Sequence, residues 1–252
     1  MARRTSVLPQ IILILVLVVI VLLLFRNSHL LTSPERPHRA AREHHRREES
    51  RPENPSEESR PYASREKKQP ENCSALGVAC SSQYFGAWTA PTGQHACRVR
   101  SRNGYPEPDP RCTPGGANPS VKLDTLRSPS WRTGCVRNCE STEAQKHIVY
   151  KWYGIAVPRD NHGESQVCEL DHLVPLELGG ADGLGNIWPQ CGPDQTALDD
   201  RYFKVKDRVE NYLADEVRAG KMPLDDAQRG IASDWTRYLD AANAYCRQSK
   251  KC

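Results

Sequence analysis

The segment CELDHLVPLELGGADGLGNIWPQC, residues 168–191, decides how the second half of this chain is read. It sets an Asp-His pair, a glycine-rich turn, an Asn and an apolar exit between two cysteines. QVCEL reads as a strand ending at Asp171-His172, and IWPQC as a short return strand just after Asn186. PLELGGADGLG is the loop between them, its glycines allowing the left-handed turns of a compact loop. Neighbours on a strand point to opposite faces, but at a strand end the backbone can turn Asp171 and His172 toward one site. Cys168 and Cys191 fall nearly opposite each other in such a hairpin, which predicts a disulfide across its base. Closing a loop of that size stabilises by roughly 3 kcal/mol in the chain-entropy view.

Downstream, TALDDRYFKVKDRVENYLADEV carries Leu198, Tyr202, Val205, Val209, Tyr212 and Val217 at largely helical spacing, predicting a helix from about Thr196 that Gly220 ends. PLDDAQRGIASDWTRYLDAANAYC predicts a final helix or pair of turns with Ile231, Trp235 and Leu239 on one face. Upstream, CESTEAQKHIVYKWYGI predicts a helix capped by Ser141 or Thr142, with Ala144, Ile148 and Trp152 as its apolar stripe. His147 lies off that stripe and is given a structural or solvent role. Residues 73–112 are rich in Gly, Pro, Ser and Cys, and predict short strands and loops stapled by disulfides. Glu177 and Asp182 are read as solvated loop carboxylates.

The N-terminal part differs in kind. VLPQIILILVLVVIVLLLF, residues 7–25, is long enough to cross a bilayer. No small-residue cleavage pattern follows closely, which predicts a retained anchor with residues 1–6 as a cytoplasmic tip. The buried-core alternative fails because a helix apolar on all faces would adjoin a charged spacer. Residues 26–72 hold eleven Lys/Arg against nine Asp/Glu and few apolar residues, the composition of a disordered linker. His29, His38, His44 and His45 fall there and are read as spacer residues rather than a metal-binding tract. All ten cysteines lie between Cys73 and Cys252. An even, localised set reads as a disulfide framework in an oxidising compartment, so the globular part is expected outside the cytoplasm. From residue 73 onward, 22 Lys/Arg meet 22 Asp/Glu, which excludes a strongly basic, non-specific nucleic-acid binder and leaves any such contact to a local patch.

Asp171-His172, the LGG at residues 178–180, Asn186 fourteen positions after His172, and the helix that follows resemble the HNH, or ββα-metal, nuclease family. The wording ELDHLVPLELGG…NIWPQ with KDRVE is close to a bacterial subgroup. The likeness runs from CTPGGANPSV to AQRGIASDW, covering much of residues 112–238. It implies a ββα-metal core; joined to the readings above, this gives an α+β fold with additional helices, a disulfide-rich region (73–140) before a nuclease domain (141–252), and the transmembrane helix ahead of both. It implies hydrolysis of phosphodiester bonds of DNA, with RNA as a second substrate. His172 would be general base, Asp171 a metal ligand, and Asn186 the residue pinning the loop that orients His172. The chemistry agrees: an imidazole near neutral pKa takes a proton from water, and a carboxylate holds a hard cation.

One family position departs. Relatives usually place a His or Asn on the helix as a second metal ligand, and Lys204 falls where a His is common. Asp207 and Glu210 stand as replacement oxygen donors and Lys206 as a phosphate contact; the alternative is an ordinary exposed charge cluster. The implied cofactor is Mg²⁺ or Mn²⁺. Zinc is the lesser reading, because Cys135 and Cys139 have no matching second pair. Two rival functions stay open: a catalytically inactive HNH-derived module binding an envelope partner, and a purely structural tethered disulfide domain.

Overall fold

The computed structural model describes residue 73, residues 75–249 and residue 252. The expected anchor (7–25) and linker (26–72) lie outside the described residues. The described part is a mixed α/β structure stapled by five disulfides: Cys73–Cys135, Cys80–Cys139, Cys97–Cys112, Cys168–Cys191 and Cys246–Cys252. Cys135 and Cys139 are therefore not zinc ligands; each is bonded to a cysteine far upstream.

Strands are short and antiparallel. β1 (Gln83–Tyr84) pairs with β4 (Gly116–Ala117), and β2 (Arg100–Arg102) with β3 (Tyr105–Glu107). β5 (Cys168–His172) pairs with β6 (Ile187–Cys191), Cys168 facing Cys191 and His172 facing Ile187. The helices are α1 (Leu123–Arg127), α2 (Glu143–Lys146), α3 (Ile148–Tyr153), α4 (Tyr202–Arg218), α5 (Leu224–Ser233) and α6 (Leu239–Ser249).

The predicted stripe of Ala144, Ile148 and Trp152 does not hold. The helix breaks at His147, which ends α2 and begins α3, so the register resets. Lys146, Val149, Tyr150, Trp152 and Tyr153 turn inward, while Ala144 and Ile148 stay at the surface. α4 begins later than predicted, after a 3₁₀ turn at Leu198–Asp200, and buries Phe203, Val205, Lys206, Val209, Leu213 and Val217. Tyr202 and Tyr212 are only half-buried.

One core joins the early and late segments. Val78, Val121, Leu126 and Trp131 pack with Val209, Leu213, Val217, Ile231 and Trp235. Burying a side chain such as Leu213 or Ile231 contributes roughly 1.5–3 kcal/mol. A second cluster sets Val149 and Trp152 of α3 against Leu173, Ile187 and Trp188 of the hairpin. α4 packs against β5 and β6, so the hairpin is held between α3 and α4.

The hairpin loop is fixed by backbone approach. A Cβ on Gly180 would lie 1.8 Å from the Val174 carbonyl oxygen, so only glycine fits. Gly179 beside it takes φ +69°, the left-handed region.

Candidate active site

Asn186 organises the loop. Its side chain is completely buried; Oδ1 accepts from the Val174 N–H at 2.9 Å and the Gly116 N–H at 3.2 Å. Its Nδ2 donates to the carbonyls of Val174 at 2.9 Å and Ala181 at 2.7 Å. Four bonds from one amide fasten both arms of the loop to β4. Asn186 thus sits where the sequence expects a pin, and it faces backbone rather than solvent.

The loop delivers Asp182 to His172. His172 Nε2 lies 3.1 Å from Asp182 Oδ1, and Lys146 Nζ reaches the same oxygen at 2.9 Å. Asp182 Oδ2 accepts from the backbone N–H groups of Cys139, Glu140 and Ser141 at 2.9, 3.3 and 3.4 Å. Asp182, read from sequence as solvated, is 1% exposed. Burial alone would raise its pKa, but the bonds from His172 and Lys146 prevail and hold it at about 2. A carboxylate fixed in that state accepts the Nε2 proton of His172, leaving the lone pair on Nδ1. Burial pushes His172 below its usual value, offsetting the Asp182 bond, so the ring is neutral at pH 7. A neutral, oriented imidazole is a general base.

Asp171 has a different neighbourhood. Lys206 Nζ lies 3.1 Å from Asp171 Oδ1 and 2.9 Å from Oδ2, donates to the His172 carbonyl at 2.9 Å, and meets Glu210 Oε1 at 2.5 Å. The Trp188 indole N–H donates to Asp171 Oδ2 at 2.9 Å. Lys206, predicted to contact phosphate, is instead wholly buried. It lies on the inward stripe of α4, one turn from Phe203 and Val209, and an ammonium there is held by the acids around it. Burial would lower its pKa; the charges of Asp171 and Glu210 overcome this and raise it, so it stays charged. Asp207 pairs with Lys204 at 2.8 Å.

These groups surround a pocket of about 90 Å³ lined by Arg137, Glu169, Asp171, His172, Glu177, Asp207 and Glu210. Sequence reasoning missed Arg137 and Glu169, and left Glu177 in solvent. Glu169 is pushed up to about 7, first by burial and then by the charges of Asp171 and Asp207. Burial also raises Glu210, against the opposing charge of Lys206.

The oxygens expected to hold a cation are of the right chemical kind. However, Lys206 and Trp188 engage both oxygens of Asp171, and among the described residues no group of three or more His, Cys, Asp or Glu is disposed to hold a metal. The expected set of Asp171, Asp207 and Glu210 does not fit a divalent cation in this arrangement, because an ammonium lies among them.

Compared with known proteins, the chain matches no family model, no curated protein and no solved structure.

Proposed function

We propose that this chain is a phosphodiester hydrolase of the HNH type, acting on DNA and secondarily on RNA, carried on the outer side of a membrane by an anchor at residues 7–25. The single observation supporting the hydrolytic reading is the buried Asp182 carboxylate on His172 Nε2, which leaves a neutral imidazole lining a pocket. His172 Nδ1 takes a proton from water, the water oxygen bonds to phosphorus, and the bond to the 3′ oxygen breaks. That oxygen gains its proton from solvent. Base catalysis of this kind contributes about 10²–10⁴-fold. The outside location is supported by all ten cysteines being paired.

The test is cleavage of supercoiled plasmid by the full chain in detergent, with Mg²⁺, with Mn²⁺ and with EDTA. Nicking that His172→Ala abolishes while the thermal transition is unchanged supports the reading; no nicking in any arm ends it. The EDTA arm measures whether a divalent cation enters by displacing Lys206.

A second reading, a catalytically inactive module that binds an envelope partner, is favoured by one observation: Asp171 is already engaged by Lys206. That reading predicts no cleavage under any cation, and binding of DNA or an envelope component that His172→Ala leaves unchanged.

A further inference from the structure

With Lys206 buried, the pocket needs another group to meet a phosphodiester. Arg137 lines the same pocket as His172 and is exposed. Five carboxylates share that lining, yet among the described residues its guanidinium makes no hydrogen bond or ion pair. The nearby lysines are engaged: Lys146 by Asp182, Lys204 by Asp207 and Lys206 by Asp171. Among the described residues, Arg137 is the one Lys or Arg lining the pocket, and its donors remain available.

Its position is built rather than incidental. Its backbone N–H donates to Thr133 O at 2.9 Å, and Val136 before it is completely buried. Cys135 and Cys139 stand on either side, tied to Cys73 and Cys80. Asn138 turns the chain immediately afterwards with φ +62°, a left-handed conformation that Asn tolerates, and its Oδ1 accepts from Lys146 at 2.8 Å. The N–H groups of residues 139–141 then close on Asp182 Oδ2. One carboxylate therefore orients the His172 ring with one oxygen and fastens the Arg137 turn with the other.

We propose that Arg137 is the substrate-phosphate ligand of this site, its planar fork receiving two non-bridging oxygens while His172 activates water beside them. The inference rests on the phosphodiesterase reading for its substrate, but its binding test does not require turnover. Fluorescence anisotropy of a labelled duplex oligonucleotide is measured with the full chain carrying His172→Ala, over a series of salt concentrations. Arg137→Ala is expected to weaken binding about tenfold or more, and to reduce the salt slope by about 0.9, the share of one phosphate. Arg137→Lys recovers the slope but not the full affinity. In the catalytic background, Arg137→Ala raises KM and lowers kcat, with the circular-dichroism spectrum unchanged. If the parent chain cleaves and Arg137→Ala binds and cleaves as it does, the proposal is overturned and the hydrolase reading stands. If the chain does not cleave but Arg137→Ala still weakens binding, the hydrolase reading fails and the ligand assignment stands. If the parent chain binds no oligonucleotide, both fail.

Discussion

Asp171 and Asp182 are both buried, and each meets a buried lysine, yet the two pairs do opposite things. Lys146 and Asp182 leave one carboxylate oxygen bridging to His172 and the other to a backbone turn, so the pair positions neighbours. Lys206 lies against both oxygens of Asp171 and against Glu210 and the His172 carbonyl, so that pair closes on itself. Glu107 completes the contrast: it is 1% exposed and, among the described residues, neither of its oxygens has a hydrogen-bond partner. Burial, with the Asp234 charge, raises it to about 7, whereas bonded Asp182 rests at about 2. What a buried acid does here follows from the donors around it more than from its depth.

The largest effect is expected from Lys206→Met. Removing one partner of a buried pair costs about 3–5 kcal/mol, because Asp171 and Glu210 are left without their ammonium. Denaturant unfolding at pH 7 measures the loss. Stability unchanged to within a few tenths of a kcal/mol would mean that the Asp171 pair is not a closed unit.

Next comes the joint change Cys168→Ser and Cys191→Ser, expected to lower stability by about 3 kcal/mol through loop closure in the unfolded chain. Thermal melts of oxidised wild type and the double variant read it.

Asp182→Asn separates positioning from charge. It removes the charge and replaces one acceptor oxygen by an amide donor. The remaining oxygen is claimed by the N–H groups of residues 139–141, and the NH2 faces His172 and reverses its tautomer. About 100-fold loss of cleavage is expected. The Asp182 contribution to stability is present above 3.8 and lost as pH falls through about 2. Wild type should therefore lose part of its advantage over the variant in acid, and an advantage unchanged at pH 2 would contradict the bonded carboxylate.

The smallest effect is Glu107→Gln, with the opposite sign. The contribution of a carboxyl raised from 4.5 to about 7 is fully present below 4.5 and lost as pH rises through about 7. The variant should be more stable than wild type at pH 8, by about 1–3 kcal/mol after allowing for relaxation, and the difference should vanish near pH 4. A stability gap independent of pH would refute an ionising, unpartnered Glu107.

The hairpin was legible because its signals are local. The short segments QVCEL and IWPQC, the glycines between them and Asn186 mark a strand, a tight loop and a return strand, and the register they imply brings Cys168 opposite Cys191. The other long-range disulfides join segments whose proximity depends on the whole core, which spacing along the chain does not carry. Asp182 was misread because the residues beside it, Ala181 and Gly183, suit a surface turn, while the groups that cover it come from residues 139–141 and Lys146. Lys206 left a usable signal: positions 203, 206, 209, 213 and 217 form one helical stripe, and a charge on it implies a buried counter-charge. Arg137 left no comparable mark; only the folded turn brings it to the pocket.

In the proposed hydrolysis, His172 is a neutral base held by Asp182. The pH dependence of plasmid cleavage by the full chain tests this directly. The predicted profile is flat near neutrality and falls with unit slope in acid, its midpoint below the ordinary histidine value of 6.5, with the rate lost in His172→Ala. A midpoint above 6.5, or cleavage by His172→Ala equal to wild type, would contradict it.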